Sequence, residues 1–435
     1  MSQKKILLLV TQDHGGAGEG ILKIARLLDR EGHKVALLVK NKTKIDNFIF
    51  EYNHKKTPIT GLYNFLSNKI TKKIIKYKNK YSKIELNEDY YFFSSDEKSI
   101  NINTSALYDL IGFTPEFVFS GWTAGFLNSS DLLLIQKSSN AVIHNISVDM
   151  NHFTGGCHYA WDCRGFTDGC DTNCPAILTK THKKLAEKNF NLKFKNAKSG
   201  NFKIICGSGW TLKQAQNSKI YKNQNYFPNI NSLIDTNVMK LDDKNVAKKH
   251  FGLEKDKFYI LMGCQNGNEK RKGFEYLLKS LNIFYKELNR EEIEKIIVLI
   301  VSKNQVNSFN EIPFNKKHLD FVDDYSKLSL LYQAVNVFVN SSIEDSGPMM
   351  VSESLSCGTP VVGFDMGVVN NMVINGYNGY KAELFNSNDL AIGIKTIFDL
   401  TSSEYKSYSI NSINQIKEFS SFEYGMQVFN KILNE

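Results

Sequence analysis

"KKILLLVTQDHGGAGEGILKIARLLDREGHKVALLVK", residues 4–40, decides the fold class. KKILLLV (4–10) is a continuous apolar run of strand length, and KVALLVK (34–40) is a second. Between them, Ile21, Ile24, Ala25, Leu27 and Leu28 recur at helical spacing. Strand, helix and strand in this order make one βαβ unit, whose strands run parallel and are buried on both faces. The turn from first strand to helix, TQDHGGAGEG, has glycines at 15, 16, 18 and 20. Such a turn lets the backbone approach a ligand phosphate at the positive end of a helix. The dinucleotide pattern G-x-G-x-x-G is not met, so the loop alone does not select a ligand.

The alternation continues outward. EFVFSGW (116–122), NAVIHNISV (140–148) and FKIICGS (202–208) read as strands, with helical stretches between them. A second series begins at KFYILMGC (257–264) and runs through EKIIVLIVS (294–302), LDFVDD (319–324), VNVFVNSS (335–342) and TPVVGFD (359–365). Helix-like segments such as GFEYLLKSLNIFYKEL (273–288) separate its members. Two successive series imply an α/β protein of two doubly wound, Rossmann-like domains facing across a cleft. Residues 1–235 form the first and 236–415 the second, with the boundary in INSLIDTNVMKLDDKN (230–245), where apolar runs give way to Asn and Asp. A last helix in 416–435 can pack on either domain, and we place it on the first. Ligands of such sheets bind at the carboxyl ends of the strands.

Composition agrees with a globular chain: 435 residues, 42% hydrophobic, 23% charged and only seven prolines. ILLLV (6–10) is too short for a signal peptide, and no run approaches the roughly 20 apolar residues of a membrane helix. The expectation is a cytoplasmic protein, at most resting on the inner face of the cell membrane. The net charge of +9 is densest in NKITKKIIKYKNKYSKI (68–84). That segment reads as a solvated helix face or loop, or as a basic amphipathic segment on an anionic membrane, where each lysine adds about 1 kcal/mol. Without helix-turn-helix, RNA-recognition or zinc-finger spacing, no nucleic-acid partner is expected.

The chemistry concentrates in SSIEDSGPMMVSESLSCGTPVVGFD (341–365). Asp345 and Glu353 are separated by seven residues, and Glu344 adjoins the first. Pro348 suits the first turn of a helix. The backbone N–H groups of Gly347, Pro348's successors Met349 and Met350, and Val351 would then face the cleft and suit a diphosphate. Glu353, a turn further on, can accept hydrogen bonds from a ribose diol. The competing reading is that the acids merely cap the helix.

This arrangement resembles the donor-binding half of family 4 glycosyltransferases, retaining and metal-independent enzymes of GT-B fold. Their signature is an acidic pair spaced E-x7-E before a turn like CGTPVV. GGA (15–17), GH (32–33), IDT (234–236), RKGFEYLLKSL (271–281), KLSLLYQAVNVFVNSS (327–342) and GYNGY (376–380) match further family segments in order. The resemblance implies that Arg271 and Lys272 neutralise the donor diphosphate and that Glu353 holds the ribose. Asp345 would touch the transferred sugar, with Glu344 its rival for that role, while Gly16 lets the glycine loop close on sugar and diphosphate. Many relatives carry a histidine before the Asp-Met of the acceptor-side loop; here that position is Val148, followed by Asp149, which would help shape the pocket. His144 and His152 do not match the motif. Retaining transfer can use the donor's phosphate oxygen as base, so the mechanism survives without the imidazole. A nucleotide-sugar donor, a glycan or lipid-linked glycan acceptor and bacterial surface-polysaccharide synthesis follow from the resemblance. The rival readings are a GT-B nucleotide-sugar epimerase and a catalytically inactive zinc-containing binding protein.

TGGCHYAWDCRGFTDGCDTNCPA (154–176) holds Cys157, Cys163, Cys170 and Cys174. The spacing C-x5-C-x6-C-x3-C is looser than that of strong zinc sites. Three readings stand: a closed structural zinc site, with His152 or His158 as substitute ligands; reduced buried thiols; or one reversible disulfide. In each the loop is a staple on the acceptor side, with Tyr159, Trp161 and Phe166 available to face a sugar ring. The resemblance implies that transfer itself needs no cofactor.

Overall fold

A computed structural model describes residues 2–53, 84–264, 269–303, 307–322 and 324–435. The lysine-rich stretch 68–84 lies outside them except for its last residue.

The first domain is built on β1 (Lys5–Leu9), β2 (Lys34–Val39), β3 (Ile49–Glu51), β4 (Phe117–Ser120), β5 (Val142–Ser147) and β6 (Lys203–Cys206). They are ordered β3-β2-β1-β4-β5-β6, all parallel. The second uses β7 (Phe258–Cys264), β8 (Ile296–Ser302), β9 (Asn315–Leu319), β10 (Val337–Asn340), β11 (Val361–Phe364) and β12 (Gly379–Ala382). Their order, β12-β11-β10-β7-β8-β9, is the same winding read from the other edge, again parallel throughout. Each sheet therefore has a switch point, between β1 and β4 and between β7 and β10, where successive connections leave to opposite sides. What lies beyond the carboxyl ends of those four strands decides what the protein can bind.

The strand at LDFVDD does not form there. β9 instead takes NKKHL, and only Leu319 belongs to both segments. An edge strand buries one side of its ladder, so a polar, lysine-bearing sequence is tolerated and blunts the open edge. β3 and β12 are short, and apolar periodicity does not announce them.

The chain crosses between the domains twice. The Ile234 N–H donates to the Ser420 carbonyl at 2.8 Å, and the Ser420 hydroxyl donates to the Asn231 carbonyl at 2.9 Å. Asn231 and Ser232 take positive φ of 46° and 57°, so this crossing is a tight, hydrogen-bonded corner. Beyond it, the helix Phe422–Asn434 lays Phe422, Met426, Val428, Phe429, Ile432 and Leu433 into the core formed by β1, β2 and the helix Gly15–Arg30. No helix among the described residues is long and apolar enough to cross a membrane.

Candidate active site

At the second switch point, the loop after β10 and a short 3₁₀ turn, Lys270–Lys272, lie side by side. Ile343 N–H donates to the Arg271 carbonyl at 2.8 Å, and the Ser341 hydroxyl donates to the Lys272 carbonyl at 2.9 Å. Gly273 permits this register. Its φ is +63°, and a β-carbon there would lie 2.0 Å from the Ser341 carbonyl oxygen. The two loops thus bring Arg271 and Lys272 onto one carboxylate. Arg271 Nη1 lies 2.8 Å and Lys272 Nζ 2.5 Å from Asp345 Oδ2, while Arg271 Nε donates to Glu269 at 2.7 Å. Burial alone would raise the Asp345 carboxyl, but Lys272 and Arg271 overcome it and bring it down to about 2. Glu344 has the opposite fate. Burial and the neighbouring Asp345 charge push it up to about 7, against a smaller pull from Arg271.

The helix Met349–Ser356 starts here with Pro348 at its N-cap. Two of the amides expected to be free are engaged: Gly347 N–H donates to Asp345 Oδ1 at 3.3 Å and Val351 N–H to the Pro348 carbonyl at 3.1 Å. The amides of Met349 and Met350 remain as orphan donors of the first turn.

Glu353 is buried and fully dressed. It accepts from the Tyr325 hydroxyl (3.1 Å), the Tyr332 hydroxyl (3.1 Å) and Lys23 Nζ (3.5 Å). Lys23 comes from the other domain, on the helix Gly15–Arg30. None of these three donors was picked out by sequence reasoning. Tyr325 and Tyr332 are seven residues apart on one helical face, and Lys23 shares a helical stripe with apolar Leu27; both patterns were visible signals.

On the N-terminal side, the loop after β1 is pinned by Asp13, which accepts from Thr43 N (2.7 Å), Thr43 Oγ1 (2.6 Å) and Lys44 N (2.8 Å). Gly18 packs so tightly that a β-carbon would meet the Gln12 carbonyl oxygen at 2.4 Å. Over Gly16 there is nothing within 4 Å, so its backbone stays open to a ligand.

The cysteine-rich loop crosses to the second domain. The Arg271 guanidinium lies 4.7 Å from the Tyr159 ring centroid, and Lys270 Nζ 5.2 Å from that of Trp161. Asp89 reinforces this contact, pairing with Lys270 Nζ at 2.8 Å and accepting from Trp161 Nε1 through its carbonyl at 2.8 Å. Tyr91 donates to Glu269 at 2.5 Å. Tyr159 and Trp161 therefore face cations, and Phe166 packs against Phe153 in the core.

The histidines separate. His144 is in the middle of β5, stacked near Phe119 and pushed down to about 3 by burial. His152 Nε2 contacts the Gly121 carbonyl at 2.8 Å, and burial brings that ring to about 4. Val148 packs against the first core. Asp149 does pair with an imidazole, but it is His158, with Nδ1 at 2.5 Å from Oδ2. Both His152 and His158 are thus engaged away from the thiols.

The four cysteines lie near one another, with Cys170 packed on the cluster that holds Cys157 and Cys174. Cys157 and Cys174 share a hydrogen bond in a small apolar cluster with Phe92, Ala176 and Ile177, while Cys163 and Cys170 flank Gly165. The bond from Cys157 draws the Cys174 thiol down to about 6 and raises Cys157. Among the described residues, no group of three or more His, Cys, Asp or Glu is disposed to hold a metal ion. The expected zinc site is therefore unsupported, and the four cysteines are free thiols.

Residues 243–415, the span containing Arg271, Lys272, Asp345 and Glu353, match the family model of glycosyl transferases group 1. The match covers the second domain and leaves the first unmatched. A search of curated protein sequences finds no match for the chain. Among solved structures, the chain is similar to sucrose-phosphate synthase from Thermosynechococcus elongatus, with a TM-score of 0.65, 12% identity, 99% of this chain and 100% of that one covered. It is also similar to a glycosyltransferase from Rickettsia africae (0.61, 15%, 99% of each chain). A third is HepE from Anabaena in complex with UDP and glucose (0.61, 12%, 100% of each chain). At such identities the likeness shows the fold. The whole chain has the GT-B architecture, and the segment that matches the glycosyl transferases group 1 model lies on the C-terminal side of the cleft.

Proposed function

We propose that this protein is a retaining glycosyltransferase, moving a sugar from a nucleotide-diphosphate donor to a glycan or lipid-linked glycan. One observation carries the reading: Arg271 and Lys272 converge on the Asp345 carboxylate at the switch point of the second domain. Two cations sharing one buried carboxylate form a ready site for a diphosphate. When the donor's diphosphate enters, it takes over both cations and the Met349 and Met350 amides. Asp345 is then released toward the transferred sugar, and the cations stabilise the charge growing on the leaving group. Gly16 offers open backbone opposite, and Glu353 meets the ribose. The acceptor hydroxyl approaches on the same face as the leaving phosphate, whose oxygen takes its proton, so transfer requires no metal. Asp149, held by His158, shapes the acceptor side. Neighbours described with UDP and glucose, or as acting in lipopolysaccharide biosynthesis, support the donor and acceptor classes. A bacterial surface-polysaccharide role at the inner membrane face extends this reading.

A thermal-shift screen of nucleotide-diphosphate sugars tests it. A ligand at 100 times its Kd stabilises the folded state by about 2.7 kcal/mol. A clear rise in Tm with one donor class is expected. No shift with any nucleotide or nucleotide sugar would sink the reading.

A further inference from the structure

Lys23 is the one side chain of the helix Gly15–Arg30 whose ammonium contacts the acidic signature of the opposite domain. It is 5% exposed, and its hydrogen-bond partners are poor. Glu353 Oε1 is 3.5 Å away and Met349 Sδ 4.0 Å, with the Tyr325 ring centroid at 4.6 Å. A charged N–H···O bond is ordinarily 2.7–2.9 Å long, and an ammonium has three N–H groups to satisfy. This buried cation is therefore under-partnered, and burying it so costs free energy unless something else completes its shell. Its carboxylate partner already accepts from two tyrosines.

A hydroxyl both accepts and donates. Placed at the Lys23–Glu353 contact, a vicinal diol can accept from the ammonium with one oxygen and donate to the carboxylate. It thereby satisfies both charges better than they satisfy each other. We propose that Lys23 and Glu353, one from each domain, form a two-sided clamp on the ribose diol of the donor, making Lys23 a specificity-determining residue for ribo- over 2′-deoxyribonucleotides. This rests on the nucleotide-sugar reading above and adds a ligand-binding residue on the domain opposite the diphosphate site. Donor recognition then requires both domains to be in contact, because the clamp is split between them.

The test uses the full chain and titration calorimetry with ADP, CDP, GDP and UDP, each against its 2′-deoxy counterpart. For the nucleotide the wild type binds best, the ribo form should be favoured by about tenfold or more. Lys23→Met, close in shape but uncharged, should lose most of that preference by weakening ribo binding while hardly changing the deoxy form. Should Lys23→Met not fold, Lys23→Gln keeps a donor without the charge and should show an intermediate ratio. A lysine that only glued the domains together would lower Tm and leave the ratio intact; an unchanged ratio in the folded variant overturns the proposal. If the wild type binds none of the four, the nucleotide-sugar reading itself falls, and the clamp falls with it.

Discussion

Asp345 and Glu344 are adjacent in sequence, yet their surroundings drive their carboxyls apart, one down to about 2 and the other up to about 7. That split was not legible in the sequence, because it depends on two cations arriving from a turn more than seventy residues upstream. The residues themselves were legible: an acidic pair, a glycine turn and RK are patterns of composition and spacing. Because folding raises the Glu344 pKa above its unfolded value near 4.5, its contribution to stability is complete below pH ~4.5 and is lost as pH rises through about 7. Glu344→Gln should therefore flatten the Tm–pH curve across that window, relative to wild type, in calorimetric scans. Lys272→Ala should lower kcat more than donor affinity, by about 100-fold, since its charge is used most as the leaving group ionises. Glu353→Ala should chiefly raise donor KM. Steady-state kinetics on both variants separate the two roles, and equal effects on both constants would contradict the assignment. His144→Ala should act through stability alone, leaving kcat of the folded fraction near normal.

At the scale of single elements, the glycine loop shows how far local rules reach. Strand, turn and helix in residues 4–40 were readable because apolar period and glycine content agree with each other. Which glycine does what was not, since it depends on the neighbouring backbone. Gly18→Ala forces a β-carbon against the Gln12 carbonyl and should cost about 2 kcal/mol or more, read as a drop in Tm. Gly16→Ala meets open space, so Tm should hold while donor binding weakens, because the added methyl occupies ligand space. The reverse pattern would show that the loop does not face the donor. The cysteine loop taught the opposite lesson. Its spacing left three readings open, and only the fold shows that Tyr159 and Trp161 carry the loop across to Arg271 and Lys270. Cys157→Ser places a hydroxyl among Phe92, Ala176 and Ile177 and should cost about 1–3 kcal/mol, measured by denaturant unfolding.

Across the whole molecule, the two-domain architecture was readable because parallel, doubly buried strands are nearly continuous apolar runs. β9 escaped because an edge strand obeys no such rule: NKKHL is polar and charged. The attachment of the helix Phe422–Asn434 was open in sequence as well, since an amphipathic helix declares that it packs but not on what. In the structure it buries six large apolar side chains against β1, β2 and the helix Gly15–Arg30. At roughly 1.5–3 kcal/mol for each fully buried side chain, this contribution is comparable to the entire stability of a domain. A chain ending at Ser421 should accordingly lose cooperative unfolding of its first domain while the second still melts as a unit, a difference that calorimetry resolves.

That same helix has a consequence for how the protein comes into being. Made from the amino end, the first domain emerges with all six strands but with one side of its core bare. The missing piece lies at the opposite end of the chain, about two hundred residues of synthesis away. At roughly 5–20 residues per second, the nascent domain waits on the order of ten seconds or more with that apolar surface uncovered. The second domain, whose elements are contiguous, can close in the meantime. The half that begins first is thus completed last, and the interval between is when a chaperone would find it.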